Sequence, residues 1–322
     1  MRKIIRIILF FPILALFVSL FFAYCEGRGG NGDSQIFNCL VAGYDEAAEN
    51  TDVLFVLSYE RRKNEISFIQ IPRDSFSEYR GTYGKINRIY SSERASGKSS
   101  DEALKALSNS VEEYLGIELD SAVALSFGAF SRLVDNLGGV YINVPKDTNL
   151  ELLPIKLSYG ENLISGKEAL ELVRARSSYY NGDLGRLDTQ KIFLEGLFHT
   201  AFERLNAKKL ASIVFARDEE IALDANVFEL SGMLLREFND IKYASVTLLT
   251  LPGEACEYEG VSYYVVNRMA ASDAVSKFIG GSFDKGYKLT DGNSAEINGL
   301  YQKNVNSYKA FSEGKIIDII VN

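Results

Sequence analysis

The sequence contains few residues that bind soft metals. Its 322 residues include three cysteines and one histidine, and no Cys-x-x-Cys or His-Glu-x-x-His spacing is present. A structural zinc site would need carboxylates for most of its ligands, so we expect none. Cys39 and Cys256 could pair in an oxidising compartment, but the odd number of cysteines and their irregular spacing favour buried free thiols.

Positive charge is also in deficit. Lys and Arg number 35 against 43 Asp and Glu, which gives a net charge of -8 and a pI near 5.0. No global field therefore attracts nucleic acid, and any anionic ligand must be held by a local cluster of bases. The chain also lacks a Gly-x-Ser-x-Gly elbow and a Walker loop, which argues against the usual hydrolases and nucleotide kinases.

Proline is scarce, with five residues, and no low-complexity tract is present. Hydrophobic residues make up 47% of the chain and charged residues 24%, which is the balance of a folded protein. The length fits two domains or one large α/β unit.

The N-terminal segment has the pattern of a membrane anchor. Arg2, Lys3 and Arg6 precede residues 7–24, which carry no charge. A helix counted from Ile4 would be about 31 Å long, enough to span a bilayer. The positive flank should stay in the cytoplasm, so the rest of the chain is expected outside the cell, attached by a single span. The alternative is a cleaved signal peptide.

Three apolar runs predict strands whose charged ends meet. The links between the runs are short and polar, so the strands should be antiparallel neighbours. Asp45 would then follow the first strand, Asp52 would begin the second, and Arg73 would follow the third at the same sheet edge. The runs are residues 36–42, 53–58 and 66–71.

The remaining pattern alternates helices and strands, which indicates layered α/β architecture. Asp101 or Ser100 could cap a helix that ends at Gly116. Asp135 should cap or brace a turn at Gly138-Gly139. Further helices are expected at residues 129–136, 165–173, 188–205, 224–238 and 272–279, with strands at 122–127, 140–144, 243–251 and 261–266. The chain ends in a short apolar run at residues 316–321.

Three arginines lie within thirteen residues of this acidic chain. Arg174 and Arg176 share a face only if the helix before them stops near Val173, whereas Arg186 and Gln190 share a face of the next helix. Arginine offers bidentate donors to phosphate, so this cluster predicts a phosphate or diphosphate site. The alternative is a set of surface arginines paired with nearby carboxylates such as Asp183.

Asp45 and Asp52 could form a hard-cation site, because Mg²⁺ commonly takes one or two carboxylates and completes its coordination with water and phosphate. At the same edge, Pro72 should fix the backbone that aims Arg73. Asp74 is expected to hold that turn or to orient Arg73, and Lys85 could donate to the same anion.

These motifs, in this order, resemble the LytR-CpsA-Psr family. The resemblance covers residues 36–280 and implies a three-layer α/β/α sandwich with a central mixed β-sheet and an apolar groove for a lipid tail. The residues that carry it are Gly43-Tyr44-Asp45, Thr51-Asp52-Val53, Ile71-Pro72-Arg73-Asp74, Lys85-Ile86-Asn87, the segment 133–140, Gly166-Lys167-Glu168-Ala169-Leu170, Arg174-Ala175-Arg176 and Gly182-Asp183-Leu184-Gly185-Arg186.

The resemblance implies an extracytoplasmic enzyme of mainly Gram-positive bacteria. Such enzymes move a glycopolymer, for example teichoic acid or capsule, from a polyprenyl-diphosphate carrier to a peptidoglycan acceptor. It further implies domains at residues 1–25 (membrane anchor), 26–35 (flexible tether), 36–280 (catalytic domain) and 281–322 (a tail to which no role is assigned).

The resemblance also implies the roles of the site residues. Asp45 and Asp52 match the acids linked to Mg²⁺ (or Mn²⁺), and Arg73 is the central catalytic cation. The general base is left open among Asp45, Asp52 and Asp183. The diphosphate would be bound by Arg73, Arg174, Arg176, Arg186 and Gln190, with Lys85 as a further donor.

Two departures from the family pattern keep other functions open. Asn50 stands where the family usually has Arg, which implies the loss of one phosphate contact. Thr189 and Lys191 flank Gln190 where Arg and Gln are usual. A lipid-diphosphate hydrolase, with water as acceptor, and a non-catalytic diphosphate-lipid-binding or regulatory wall protein are the alternatives.

Overall fold

The computed structural model describes residues 36–144, 146, 150–174, 192–197, 199–200, 220–223, 243–283, 295–312 and 315–321. The predicted anchor and tether lie outside these residues. The described chain divides into two compact units. The first, called here the sheet unit, comprises described residues of 31–124, 222–224 and 244–322; the second comprises described residues of 125–221 and 225–243.

The α/β class and the mixed central sheet are confirmed. Eight strands lie in the order β14-β13-β10-β3-β2-β1-β6-β9. The strands of this sheet are β1 (Ile36–Tyr44), β2 (Thr51–Glu60), β3 (Glu65–Gln70), β6 (Ser121–Ser126), β9 (Ile221–Leu223), β10 (Ser245–Thr250), β13 (Ser307–Ser312) and β14 (Lys315–Ile320). β10 and β3 are parallel, whereas β1, β2 and β3 are antiparallel neighbours.

Two-stranded pairs and helices are the other main elements of the described chain. Three two-stranded pairs are formed by β4 (Phe76–Tyr79) with β5 (Thr82–Lys85), β7 (Val140–Val144) with β8 (Gly160–Ile164), and β11 (Gly253–Tyr258) with β12 (Val261–Val266). The helices are α1 (Arg88–Ala95), α2 (Ser100–Leu115), α3 (Phe127–Asn136), α4 (Gly166–Arg174), α5 (Arg268–Ile279) and α6 (Ala295–Tyr301). Residues 192–197, within the predicted helix 188–205, are helical, and the predicted helix 224–238 lies outside the described residues.

The register of the first three strands brings their predicted ends together. Tyr44 lies opposite Thr51, and Gln70 lies opposite Phe55. The end of β1, the start of β2 and the end of β3 therefore share one edge of the sheet. The antiparallel arrangement expected from the short polar links is confirmed.

Helix α2 shows how local sequence sets an element of the core. Its N-cap is Ser99, whose hydroxyl accepts from the Glu102 amide while the Glu102 carboxylate accepts from the Ser99 amide. The expected cap at Ser100 or Asp101 was therefore wrong by one or two residues, because only Ser99 has Glu102 at the third helical position. The Ser99 amide and hydroxyl both donate to the Glu102 carboxylate, and these two hydrogen bonds lower the pKa of Glu102.

The C-terminal segment contributes to the central sheet. β13 pairs with β10, and β14 pairs with β13. In α6, Ile297 and Tyr301 are fully buried in the same core as Leu104 and Leu107 of α2. The described part of residues 281–322, to which the sequence assigned no role, is therefore built into the sheet unit.

In the second unit, Asp135 links two helices. Its Oδ1 accepts a 2.6 Å hydrogen bond from the amide of Gly166, the first residue of α4. A Cβ added at Gly166 would lie 1.9 Å from the carbonyl oxygen of Ser131. The end of α3 and the start of α4 therefore approach closely only because residue 166 is glycine.

Several short elements were not anticipated from the sequence. β4, β5, β8, β11 and α1 lie in segments that we read as turns or left unassigned. α5 begins at Arg268, four residues before the expected start, because Asn267 caps it by accepting from the Ala270 amide. The two described cysteines, Cys39 and Cys256, are buried and free, as favoured. Within the described ranges, no helix has both the length and the apolar character needed to cross a membrane.

We expect Gly116→Ala to destabilise the protein more than Gly97→Ala. Both glycines have positive φ, but an added Cβ at Gly116 would lie 2.3 Å from the Ser282 carbonyl oxygen, whereas nothing lies within 4 Å at Gly97. Backbone strain alone should cost about 1 kcal/mol at Gly97, and the clash should raise the cost at Gly116 to about 3 kcal/mol. Denaturant midpoints measure both; equal losses would contradict the assigned contact.

Candidate functional site

The centre of the candidate site is Arg73, and its backbone is fixed on both sides. Ile71 is buried and donates its amide to the Leu54 carbonyl oxygen at 2.9 Å, which continues the pairing beyond the end of β3. The Ser75 amide donates to the Pro72 carbonyl oxygen at 2.9 Å and closes a turn around Arg73. The predicted use of Pro72 to aim Arg73 agrees with this geometry.

Four charged side chains alternate in sign around this turn, and we call them the charged row. Arg73 Nη1 lies 2.5 Å from Asp52 Oδ1, and Arg73 Nε lies 3.7 Å from Asp74 Oδ2. Lys85 Nζ lies 2.9 Å from Asp74 Oδ1. The Arg73 and Asp52 side chains are only 13% and 15% exposed, so solvent screens this pair less than it would a surface pair.

The backbone of Asn87 connects the three parts of the site. Its amide donates to the Arg73 carbonyl oxygen at 3.2 Å. Its own carbonyl oxygen accepts from the amide of Thr51 at 3.2 Å and from the Thr51 hydroxyl at 3.3 Å. The segment carrying Lys85 is thereby held against both the start of β2 and the Arg73 turn.

Asp45 shapes the loop between β1 and β2. Its Oδ1 accepts from the amides of Ala47 and Ala48 at 3.0 and 3.2 Å, and its carbonyl oxygen accepts from Glu49 at 2.7 Å. This is the pattern of an Asx turn, in which a short carboxylate replaces a backbone acceptor. The structure therefore gives Asp45 a role in the loop at the sheet edge where it was predicted.

The departure at Asn50 has a structural consequence. Asn50 Oδ1 accepts a 2.8 Å hydrogen bond from the Ser91 hydroxyl on α1. Glu49, its neighbour, pairs with Arg94 of the same helix at 3.0 Å. Asn50 thus helps to hold the loop between β1 and β2 on α1. The sequence motifs did not predict this contact.

Arg73 retains an unused donor. Its Nε is buried and has no hydrogen-bond partner among the described residues. An unsatisfied buried donor costs about 1–3 kcal/mol, and a charged donor costs more. Within the described residues, this guanidinium therefore has a donor that the contact with Asp52 does not use.

The donor set can also be compared with the needs of a hard cation. No group of three or more His, Cys, Asp or Glu side chains in the described ranges could hold a metal ion. Asp45 and Asp52 remain as two carboxylates near the same edge. This set fits Mg²⁺ held by one or two carboxylates with phosphate oxygens of a substrate, and not a cage made of protein ligands alone.

The second unit contains the other described member of the predicted set. Arg174 is the last residue of α4, one residue beyond the expected stop, and its guanidinium carbon lies 4.5 Å from the centroid of the Phe127 ring. This geometry is a cation–π contact. Four of the predicted site residues lie outside the described residues: Arg176, Asp183, Arg186 and Gln190.

Sequence reasoning missed the contribution of β12 to the site. The Tyr264 amide donates to the Asp74 carbonyl oxygen at 2.8 Å, and Lys85 Nζ lies 5.9 Å from the centroid of the Tyr263 ring. The tyrosines at 258, 263 and 264 are the only local signal in the sequence, and no spacing rule connects them with Arg73, almost 200 residues earlier.

The fold and the charged row define an α/β protein with a cluster of paired charges at the strand ends. A model described as the LytR_cpsA_psr family matches residues 28–278. The chain belongs to this family.

Relatives include polyisoprenyl-teichoic acid–peptidoglycan teichoic acid transferases. TagU of Halalkalibacterium halodurans is 29% identical over 238 residues, covering 71% of this chain and 74% of that protein. TagU of Bacillus subtilis is 24% identical and covers 77% and 78% of the two chains.

Solved structures show the same fold. TagT bound to LIIa-WTA has a TM-score of 0.62 at 23% identity, covering 79% of this chain and 95% of that chain. TagT with bound octaprenyl pyrophosphate lipid has a TM-score of 0.59 at 22% identity, and the match again covers 79% of this chain and 95% of that chain.

Thr51→Val should lower the free energy of unfolding without creating a cavity. The side chain is fully buried, and valine keeps its shape but loses the hydrogen bond to the Asn87 carbonyl oxygen. We expect a loss of about 1 kcal/mol in the free energy of unfolding, measured by urea titration. Thr51→Ser keeps the hydroxyl and is the control for it; a Val variant as stable as wild type would contradict this role of the hydroxyl.

Proposed function

We propose that this chain is a phosphotransferase that moves a glycopolymer, such as teichoic acid or capsule, from a polyprenyl-diphosphate carrier to peptidoglycan. The observation that carries the proposal is the buried Arg73, which is paired with Asp52 and whose Nε makes no hydrogen bond to the described residues. The transferase names of the relatives and the pyrophosphate lipid named with TagT support it.

The reaction exchanges a phosphoanhydride bond for a phosphoester bond. A hydroxyl of the acceptor sugar attacks the phosphorus next to the glycopolymer. The bond from that phosphorus to the bridging oxygen breaks, and its electron pair leaves with polyprenyl phosphate. Catalysis of this kind needs positioning and charge stabilisation more than covalent chemistry, so no protein nucleophile is required.

In this scheme Arg73 and Lys85 stabilise the charge on the diphosphate. Arg73 is held by Asp52, and Lys85 by Asp74, so both cations are positioned before an anion arrives. Arg174, Arg176, Arg186 and Gln190 complete the proposed diphosphate-binding set. Fixed donors cost little reorganisation during the reaction, which is the physical advantage of these ion pairs.

The acceptor proton must pass to a base, and the candidates differ in their surroundings. Asp52 Oδ1 pairs with Arg73. Asp45 Oδ1 accepts two backbone hydrogen bonds. Asp183 lies outside the described residues. The identity of the base stays open among these three.

Mg²⁺, or Mn²⁺, is the cofactor we propose. Asp45 and Asp52 would hold it, and the ion would supply additional positive charge to phosphate oxygens.

The proposal includes the cellular location expected from the sequence. Residues 1–25 would form a single-pass anchor in the cell membrane, with the N-terminus in the cytoplasm and the catalytic residues outside. This arrangement suits a substrate whose polyprenyl tail lies in the membrane and whose acceptor lies in the wall of a Gram-positive bacterium.

Arg73→Ala should abolish most of the transfer. Loss of a charge-stabilising donor typically lowers the rate about 100-fold, and Arg73→Lys should recover part of it because the charge remains but the fork of donors does not. Transfer is measured as glycopolymer phosphate attached to soluble peptidoglycan chains. Arg62→Ala is the matched control, because Arg62 is exposed in the turn at the other end of β2.

Two outcomes would reject this assignment. Arg73→Ala with the activity of the Arg62→Ala control would remove Arg73 from the reaction. Release of the polymer phosphate to water at the same rate with and without peptidoglycan chains would instead identify a lipid-diphosphate hydrolase.

Removal of divalent cations should also stop transfer. We expect activity to fall at least about tenfold in excess EDTA and to return with Mg²⁺ or Mn²⁺. Asp52→Asn should raise the Mg²⁺ concentration needed for half-maximal activity, whereas Glu60→Gln, at the far end of β2, should not. Full activity in EDTA would exclude the proposed cofactor.

A further inference from the structure

An aromatic cluster joins two hairpins of the sheet unit. Phe76 of β4 is fully buried. It stacks on Tyr83 with 5.3 Å between ring centroids, and its edge-to-face partners Tyr263 and Tyr258 lie at 5.2 and 6.2 Å. The hairpins β4–β5 and β11–β12 therefore meet through aromatic rings on facing sides.

The outer part of this cluster is exposed. Tyr83 and Val261 are 37% and 39% exposed, and Tyr258 and Tyr263 are half-buried. Tyr258 pairs with Val261 in the β11–β12 register, and Tyr263 lies on the same side of the hairpin. We call these four side chains the aromatic platform.

The aromatic platform is continuous with the charged row. Lys85, which pairs with Asp74 at 2.9 Å, also lies 5.9 Å from the centroid of the Tyr263 ring. Tyr264, next in the chain, donates its amide to the Asp74 carbonyl oxygen. The platform thus begins where the charged row ends, because Lys85 of the charged row lies against the Tyr263 ring.

The charges around the platform favour a neutral polar ligand. The ammonium of Lys85 is compensated by Asp74, and Glu78 lies opposite Tyr83 in the β4–β5 register. A second phosphate would meet no unpaired cation among these residues. A pyranose ring fits better, because its C–H face packs on aromatic rings while its hydroxyls can bond to carboxylate and ammonium groups at the rim.

We propose that the aromatic platform binds a sugar ring of the acceptor glycan. This inference rests on the proposed transferase function and adds the location of the acceptor. The sugar of the donor is joined directly to the diphosphate at Arg73, whereas the platform lies beyond Asp74 and Lys85. A glycan chain stacked there would extend a neighbouring ring towards Arg73, where its hydroxyl can reach phosphorus.

The test uses Tyr83→Ala in the full-length protein with soluble peptidoglycan chains as acceptor. We expect the KM for the acceptor to rise about tenfold, with the KM for the polyprenyl-diphosphate donor unchanged. Tyr83→Phe keeps the ring and should keep the wild-type acceptor KM. Tyr159→Ala is the matched control, because Tyr159 is also exposed but lies in the second unit.

An acceptor KM that is unchanged in Tyr83→Ala would overturn the inference. A rise confined to the donor KM would also overturn it and would assign the rings to the donor saccharide. Direct binding of N-acetylglucosamine oligomers, followed by calorimetry, separates this inference from the proposed function. Binding that depends on Tyr83 in a protein without transfer activity would reject the transferase and retain the platform.

Discussion

The structure of the site depends on the ion pair between Arg73 and Asp52. Asp52 lies near the start of β2 and Arg73 just beyond the end of β3, so the pair forms only because these strands are antiparallel and in the observed register. A shift by one residue would reverse which side chains face each side of the sheet and would separate the two charges. The same register places Thr51 against Asn87, which brings Lys85 to the site. One register therefore sets the positions of all the described charges of the sheet unit's site.

These charges are arranged for binding more than for stability. Partly buried ion pairs recover little more than their desolvation cost, so a hydrophobic replacement of similar shape would often be no less stable. Arg73 Nε is also buried without a hydrogen bond to the described part of the chain, which adds a cost to the stability of the site. Stability comes from the core beneath, where α2, α5, α6 and the central sheet bury a continuous apolar cluster. Packing of the core fixes the strand ends, and the charged side chains lie at those ends.

The sequence allowed prediction of those parts of the site that lie on regular strands. Apolar runs and short polar links gave the antiparallel order of β1, β2 and β3, and from that order followed the meeting of Asp52 with Arg73. The ordered motifs then indicated the family. Strand β12 was predicted at residues 261–266, whereas its partner β11 and the hairpin β4–β5 were missed because these strands are short. The contact of β12 with the site, from Tyr264 to Asp74, was also missed because it joins residues 190 apart in sequence. The Ser99 cap was missed because several adjacent residues can cap a helix, and only the position of Glu102 decides between them.

The alternating signs of the charged row explain how one small site could accept a highly charged ligand. A diphosphate beside Asp52 and Asp74 alone would be repelled, whereas beside Arg73 and Lys85 alone it would bind so tightly that product release would slow. With each cation already paired, the ligand gains only the difference between its own contacts and those of the carboxylates, which moderates affinity while the positions of the donors stay fixed. Transfer requires that balance, because the charge to be stabilised moves from the diphosphate to the departing polyprenyl phosphate as the bond breaks. The donors can then interact more strongly with the charge in the transition state than in the ground state, which lowers the barrier.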